Sequence, residues 1–409
     1  MAGMSGERLG IAIVGMGGAV ATTAIAGMEL LKRGLVDTTG LPLAGVKGAG
    51  LVDYGALTFA GWDLYDDDLA KAARTHGVLT EPQLQAVEPV LSKLRPWPAV
   101  SNRNFCRNVV GSSSKTLSGL RAQVAAIHQD LERFQREQQV ERLVMINCAS
   151  TERAVDLTLP LFATPDAFET AIDANAPELS PAMLYAYAAV SRGLPFANFT
   201  PSIAADVPAL MELARRKGAP VAGKDGKTGQ TLLKTVLAPA LRDRALHVSG
   251  WYSTNILGNR DGEALEDPAS KAAKLDTKAA ALDSILGYKV QDHVVQIQYY
   301  RPRGDNKEAW DNIDVLGFLG QPMQLKLNFL CKDSILAAPL VVELARTLDL
   351  AKRRGERGII ESLGCFFKAP MTQDGRTPEH AMPEQQRRLM QWLGAGSVRP
   401  VVGKERLRG

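Results

Sequence analysis

The sequence predicts an α/β protein: a Rossmann-like dinucleotide-binding domain built on a parallel sheet and interrupted by an inserted α+β domain. Three observations carry this expectation. A short apolar strand, "GIAIVGMGG" at 10–18, runs into glycines and then into a helix at 19–34. Amphipathic helices further on lead directly into apolar strands, the alternation that builds a parallel sheet with helices on its faces. From about 232 to 334 the texture changes to strands with one wet face.

The elements follow in order. Residues 10–34 read as the β-turn-α opening of a dinucleotide fold, with small residues early in the helix and a basic end before Gly34. "AGLVDYGALTFAG" ends a second apolar strand at Gly61, and Trp62-Asp63 lead to an acidic helix start. Residues 115–140 form a strongly amphipathic helix that runs at once into the strand "RLVMINCAS", and 204–217 form another helix. Beyond 232, "DHVVQIQYY" (292–300) and "MQLKLNFLC" (323–331) alternate as half-buried strands do, and 334–354 return to apolar helix. The expected division is 1–231 for the first part of the dinucleotide-binding domain, 232–334 for the insertion, and 335–409 for the return and a solvated tail.

Composition excludes several classes. The chain has 409 residues, enough for two domains, with 45% hydrophobic and 22% charged residues, as in ordinary globular proteins. A net charge of +4 is too diffuse for nucleic acid or an anionic membrane, and no basic run is interleaved with aromatics. The four cysteines lie far apart without a C-x-x-C, which suits reduced thiols in a cytoplasmic protein. Residues 9–28 are uncharged and as long as a membrane span, but they hold five glycines and divide into strand, turn and helix start. No His/Cys/Asp cluster has metal-ligand spacing.

Two glycine-rich loops point to phosphate. Gly15-Met16-Gly17-Gly18-Ala19-Val20-Ala21 is a dinucleotide fingerprint with one extra residue, its glycines allowing a tight turn and close approach of backbone N–H groups to a pyrophosphate. No acidic residue closes a strand about twenty residues later, so Asp53 and Asp63 are the candidates for the ribose contact. The second loop, "VAGKDGKTGQTLLK" at 221–234, nearly matches a nucleotide P-loop from Gly218. Asp225 stands where a magnesium-binding hydroxyl is needed. Lysines recur downstream: Lys274 and Lys278 four apart on one helical face, Lys307 after Asp305, and Lys368 between Gly-Cys-Phe-Phe and Ala-Pro. An ammonium in a partly apolar site can act as acid or base, or hold a developing oxyanion.

Taken together and in order, these pieces resemble the myo-inositol-1-phosphate synthase family from about residue 9 to 395. The resemblance rests on Gly15–Gly18, Gly61-Trp62-Asp63, Ala149-Ser150-Thr151-Glu152-Arg153, Asn198-Phe199-Thr200-Pro201 and Asp225–Thr231. It continues through Asn255-Ile256-Leu257-Gly258-Asn259-Arg260-Asp261-Gly262, Lys274 and Lys278, Gly304–Lys307, Lys332–Ala337 and Phe367–Pro370.

The resemblance implies NAD-dependent cyclisation of a hexose 6-phosphate, most simply glucose 6-phosphate to inositol 3-phosphate by oxidation, enolisation, intramolecular aldol and reduction. It implies a cofactor site of Gly15, Gly17, Gly18, Ala19, Val20, Asp63, Ala149, Ser150, Thr151, Thr200, Asp333 and Ser334. The phosphate would be held by Lys227, Thr228, Gly229, Gln230 and Thr231, and the sugar by Asp225, Asn255, Asn259 and Asp261. Lys274, with Lys307, would remove the C5 hydroxyl proton, Lys278 and Lys368 would hold oxyanions, and Asp305 would orient Lys307. A homotetramer built through the insertion is implied, and a divalent or monovalent cation near Asp261 is left open.

Several positions depart from the family pattern. Ala19, Val20, Ala21 and Ser150 replace other small or amide residues. Arg260 and Lys332 add positive charge beside substrate and cofactor motifs, which keeps open a sister cyclase making a five-membered cyclitol phosphate from fructose 6-phosphate. A dehydrogenase releasing an oxidised product is disfavoured, since hydride transfer alone does not need four ammonium groups. A non-catalytic nucleotide binder would be expected to lose those lysines.

Overall fold

A computed structural model describes residues 8–395 except 108, 116 and 259–280. Seven parallel strands form the larger sheet: β1 (Leu9–Val14), β2 (Leu57–Asp63), β3 (Trp97–Pro98), β4 (Arg142–Asn147), β5 (Phe196–Asn198), β6 (Pro220–Gly223) and β11 (Gly358–Ile359). Their order is β11-β6-β5-β4-β1-β2-β3. The chain thus winds outward from β1 to β3, then crosses back to β4 and winds the other way, which leaves a crevice at the carboxyl ends of β1 and β4. β1 pairs in register with both neighbours, Val14 opposite Trp62 on one side and Asn147 on the other.

Helices cover both faces. Ile11 and Ile13 of β1 face a core with α1 (Ala19–Lys32), α2 (Leu69–His76), α3 (Glu81–Leu91) and residues of two later helices, 333–353 and 382–393. Ala12 and Val14 face the opposite core of α4 (Leu120–Gln138), α5 (Pro165–Asp173), α6 (Pro181–Ser191) and α7 (Pro208–Lys217). Alternate side chains of one strand point to opposite faces, so a strand buried on both sides must read as unbroken apolar sequence.

α8 (Gly229–Asp243) leads into a second sheet ordered β10-β9-β7-β8. Its strands are β7 (His247–Leu257), β8 (Asp292–Tyr299), β9 (Asn306–Leu316) and β10 (Pro322–Lys332). β9 is antiparallel to β7 and β10, while β8 runs parallel to β7. Trp251, Ile313 and Val315 pack against Ala238 and Leu241 of α8 and Leu282 and Ile285 of a helical turn at 281–286. α9 (Asp333–Arg353) then carries the chain back beneath the first sheet, and α10 (Met382–Leu393) follows β11.

The segment 33–56 explains the missing acidic residue. It is a long excursion between α1 and β2, anchored to α9 by buried Glu343, which accepts from Tyr54 Oη at 2.6 Å and Leu43 N at 3.1 Å. Arg346 ties the same group by donating to Glu343 Oε2 at 2.6 Å and to Val52 O at 2.7 Å. Asp63 therefore ends β2 in space although it is far from Gly18 in sequence. Asp53 only caps the turn at Tyr54–Ala56 through Gly55 N.

Candidate active site

A cleft of about 500 Å³ opens at the carboxyl ends of β1, β2, β4 and β5 and extends to the loop before α8. Gly15 holds φ +84°, and a Cβ there would lie 2.9 Å from Cys148 O, so this turn admits only glycine. Gly15 and Gly18, with Ala19 and Val20 of the first turn of α1, line the cleft. First-turn N–H groups of a helix have no partner within the helix and face outward as donors. Asp63 Oδ2 accepts from Gly17 N at 2.8 Å and Oδ1 from Tyr65 N at 3.1 Å, fixing the carboxylate at the cleft edge. His76 Nε2 lies 2.8 Å from Gly17 O. A carbonyl only accepts, so Nε2 carries the proton.

Two buried asparagines shape the next wall. Asn147 Nδ2 donates to Asn198 Oδ1 at 3.1 Å, and Asn198 Oδ1 also receives Thr200 N and Thr200 Oγ1. Asn147 Oδ1 accepts from Ala149 N. These bonds hold Ala149, Ser150, Thr151 and Thr200 around the crevice, all on the cleft lining. Glu152 lines it too, with Oε1 accepting from Ala182 N at 3.1 Å and Oε2 buried without a hydrogen bond among the described residues. Burial pushes its carboxyl up to about 7.

The opening loop forms the far end. Segments 223–227 and 366–371 are laced by backbone hydrogen bonds: Lys224 N to Ala369 O, Ala369 N to Lys224 O, Lys368 N to Asp225 O, Lys227 N to Phe366 O and Met371 N to Gly223 O. At Gly226 a Cβ would lie 2.1 Å from Phe199 Cζ, so the loop packs flat on that ring. Lys368 Nζ meets Asp225 Oδ1 at 2.7 Å, both side chains buried. Lys307 Nζ lies 3.4 Å from Asp333 Oδ1, and Thr228 Oγ1 donates to the same oxygen at 2.9 Å. Asp225, Thr228, Lys307, Asp333, Ser334 and Lys368 all line the cleft. Gly229 starts α8, and a Cβ on it would sit 3.5 Å from Lys307 Nζ.

Some expected residues stand elsewhere. Lys227 turns from the cleft to Gln385 Oε1 and Met382 Sδ. Asp305 accepts from Ser334 N and Oγ at the start of α9, and the carboxylate that pairs with Lys307 is Asp333. Gln230, Thr231 and Asn255 are buried behind the cradle rather than on the cleft surface. Lys332, which suggested a changed substrate, donates to Gly77 O and Val78 O after the end of α2. Lys224, the would-be P-loop lysine, pairs with Asp206 at 2.7 Å. Lys274, Lys278, Asn259, Arg260 and Asp261 lie outside the described residues. Among the described residues no group of three or more His, Cys, Asp or Glu is arranged to hold a metal ion.

His76, Asn147, Asn198, Glu152 and Phe199 were not among the expected site residues. The signal for the asparagines is a polar residue closing an apolar strand, "VMIN" and "FAN". Glu152 and Phe199 lay inside motifs already noticed, and His76 left no local signal.

The family model described as myo-inositol-1-phosphate synthase matches residues 46–394. Inositol-3-phosphate synthase 1 of Bacteroides thetaiotaomicron is 40% identical over 409 residues, covering 94% of this chain and 95% of that protein. Inositol-3-phosphate synthase of Saccharomyces cerevisiae is 28% identical over 372 residues, covering 82% and 69%. A crystal structure of inositol-3-phosphate synthase from Caenorhabditis elegans superposes with a TM-score of 0.87 at 24% identity, over 95% of this chain and 86% of that one, a likeness of fold.

Proposed function

The chain belongs to the myo-inositol-1-phosphate synthase family, and from that premise we propose that it isomerises D-glucose 6-phosphate to 1D-myo-inositol 3-phosphate with internal recycling of NAD. The observation that carries this reading is the meeting of two buried ammonium groups, Lys307 and Lys368, with the glycine turn in one cleft. A dehydrogenase needs the turn. The added positive charge suits chemistry that passes through an enolate and an alkoxide beside a phosphate.

The residues fit a dinucleotide. The Gly15 turn leaves room for a pyrophosphate where any Cβ would clash, the first turn of α1 supplies donors, and Asp63 stands where a ribose hydroxyl would be bound. The group held there would supply hydride acceptance from sugar C5 and its later return, which would make the net reaction an isomerisation. Thr228 and the first-turn N–H groups of α8, at Gly229, Gln230 and Thr231, would hold the phosphate. Lys307, aligned by Asp333, would accept the C5 hydroxyl proton, with Lys274. Lys368, aligned by Asp225, would hold the C1 oxygen as the aldehyde is attacked, and Lys278 would hold the C5 oxygen. Self-assembly through the second sheet belongs to the same reading. Its outer face exposes Val294 at 40% and Leu330 at 59%, and it stacks Tyr252 edge-on to Trp310 at 5.7 Å. Among the described residues no helix is long and apolar enough to cross a membrane.

The test is a product assay with catalytic NAD, offering glucose 6-phosphate and fructose 6-phosphate in parallel and identifying the phosphate esters by NMR. Inositol phosphate without net NADH is expected. A carbocycle from fructose 6-phosphate alone, or stoichiometric NADH with an open-chain ketone, would overturn the reading.

A further inference from the structure

Glu152 is a buried acid that the chemistry above does not use. It is 8% exposed and lines the cleft, and its backbone N donates to Ser202 Oγ at 3.0 Å. Oε1 accepts from Ala182 N in the first turn of α6, and the Ser180 hydroxyl donates to the same carboxyl. Oε2 is buried without a hydrogen-bond partner among the described residues, and so is Oγ1 of the adjacent Thr151, another residue of the lining. A buried polar atom left unpaired costs about 1–3 kcal/mol unless a partner arrives.

The surroundings favour the neutral acid. No lysine, arginine or histidine pairs with Glu152 among the described residues, and burial lifts its carboxyl from 4.5 to about 7. With Oε1 committed to donors, the proton of the neutral form belongs on Oε2. That turns the orphaned acceptor into a donor on the cleft wall. The wall lies on the Asp63 side of the cleft. Ala182 and Tyr185, three apart on α6, both line it. Tyr185 Oη accepts from Val100 N at 2.9 Å, and its ring lies 5.1 Å from that of Trp62, the neighbour of Asp63. Ala99, Val100, Pro181 and Ala182 add small apolar surfaces suited to the flat face of a base.

We propose that Glu152 binds the cofactor as a neutral carboxylic acid, donating from Oε2 to an acceptor nitrogen of the adenine ring, so that the cofactor is held tightly in acid and loosened as Glu152 ionises. The inference rests on the dinucleotide part of the reading above. The unsubstituted ring nitrogens of adenine only accept, so a carboxylate in the same place meets them lone pair to lone pair. Affinity is therefore full while Glu152 is protonated and falls as pH rises through about 7.

The experiment measures binding of NAD and of ADP-ribose by calorimetry from pH 5.5 to 8.5. ADP-ribose lacks the nicotinamide and keeps the adenosine. Both are expected to bind about tenfold more weakly at pH 8.5 than at pH 5.5, near one hydrogen bond. E152Q carries a permanent donor, because its amide oxygen must face Ala182 N and its nitrogen then stands where Oε2 stood. Its affinity is expected to stay within about threefold of the native value at pH 5.5 across the whole range. The other titratable or charged groups on this part of the lining are Asp63 of β2, His76 of α2, Arg103 and Cys106 after β3, Cys148 after β4 and Tyr185 of α6. All of them remain in E152Q, so a pH dependence that persists there overturns the proposal. A flat native profile overturns it while leaving the dinucleotide reading standing. ADP-ribose binding that ignores pH while NAD binding falls moves the contact off the adenosine and overturns it too. Binding of neither ligand at any pH defeats the dinucleotide reading and the proposal together.

Discussion

Replacing Lys368 by methionine tests whether the buried pair with Asp225 is chemistry or scaffolding. The two charges lie 2.7 Å apart with side chains 7% and 5% exposed. At an effective dielectric constant of about 20 their gross attraction is roughly 6 kcal/mol. Desolvating two ions offsets most of that, but removing only one partner strands the other. The measured cost of such a cut is about 3–5 kcal/mol, and here Asp225 Oδ2 already lacks a hydrogen bond among the described residues. An unfolding entropy of about 2.1 cal/mol/K per residue gives about 0.9 kcal/mol/K for a chain of this size, so K368M should lower Tm by about 3–6 °C. Adding D225N removes the stranded charge and should recover most of that loss, while turnover stays absent in both variants. Scanning calorimetry and the inositol phosphate assay read the two effects separately. A double variant as unstable as K368M would refute the electrostatic account. Turnover surviving in K368M would refute the catalytic role.

Other expectations follow from the same geometry. Gly15→Ala forces a left-handed alanine against Cys148 O and should weaken NAD at least about tenfold in a fluorescence titration, the folded sheet remaining intact by circular dichroism. Burial holds Lys227 and Lys234 down to about 8 from 10.5. The fold therefore bears the full cost of these ammonium groups below about pH 8 and sheds it as pH rises toward 10.5. Thermal melts across that window should flatten in K227M. Glu152 runs the other way: burial lifts its carboxyl from 4.5 to about 7, so its contribution is favourable below pH 4.5 and lost as pH climbs through 7. E152Q should abolish that part of the slope between about pH 5 and 7.5.

Much of this arrangement was legible because it depends on local rules. A strand buried on both faces must be apolar throughout, and "LGIAIV" and "RLVMIN" declared β1 and β4. The turn at Gly15 requires a positive φ, which only glycine adopts freely, so its position was readable without neighbours. Asp63 was half legible. Its motif was visible, but the rule of about twenty residues fails because 33–56 loop out and are held by Glu343 on α9, a contact no local pattern encodes. β7 and β9 were not singled out as strands, since β7 is broken by Ser249-Gly250 and β9 buries Lys307 and Asp311, inward polar residues that spoil the alternation. Lys227 illustrates the remaining limit. Sequence places it in the cradle, and only the lacing to 366–371 decides that its side chain leaves by the back.

That lacing has a consequence for how the protein comes into being. The cradle loop and the segment that clasps it carry residues 143 positions apart, Asp225 and Lys368. A ribosome releases the first long before the second. Until the chain has emerged through Met371, the glycine turn can be complete while the phosphate end has no second wall and no Lys368. An unfinished chain would thus lack both the clasp on the cradle loop and the last strand and covering helix of its first sheet, so the cleft closes only when the late segment arrives.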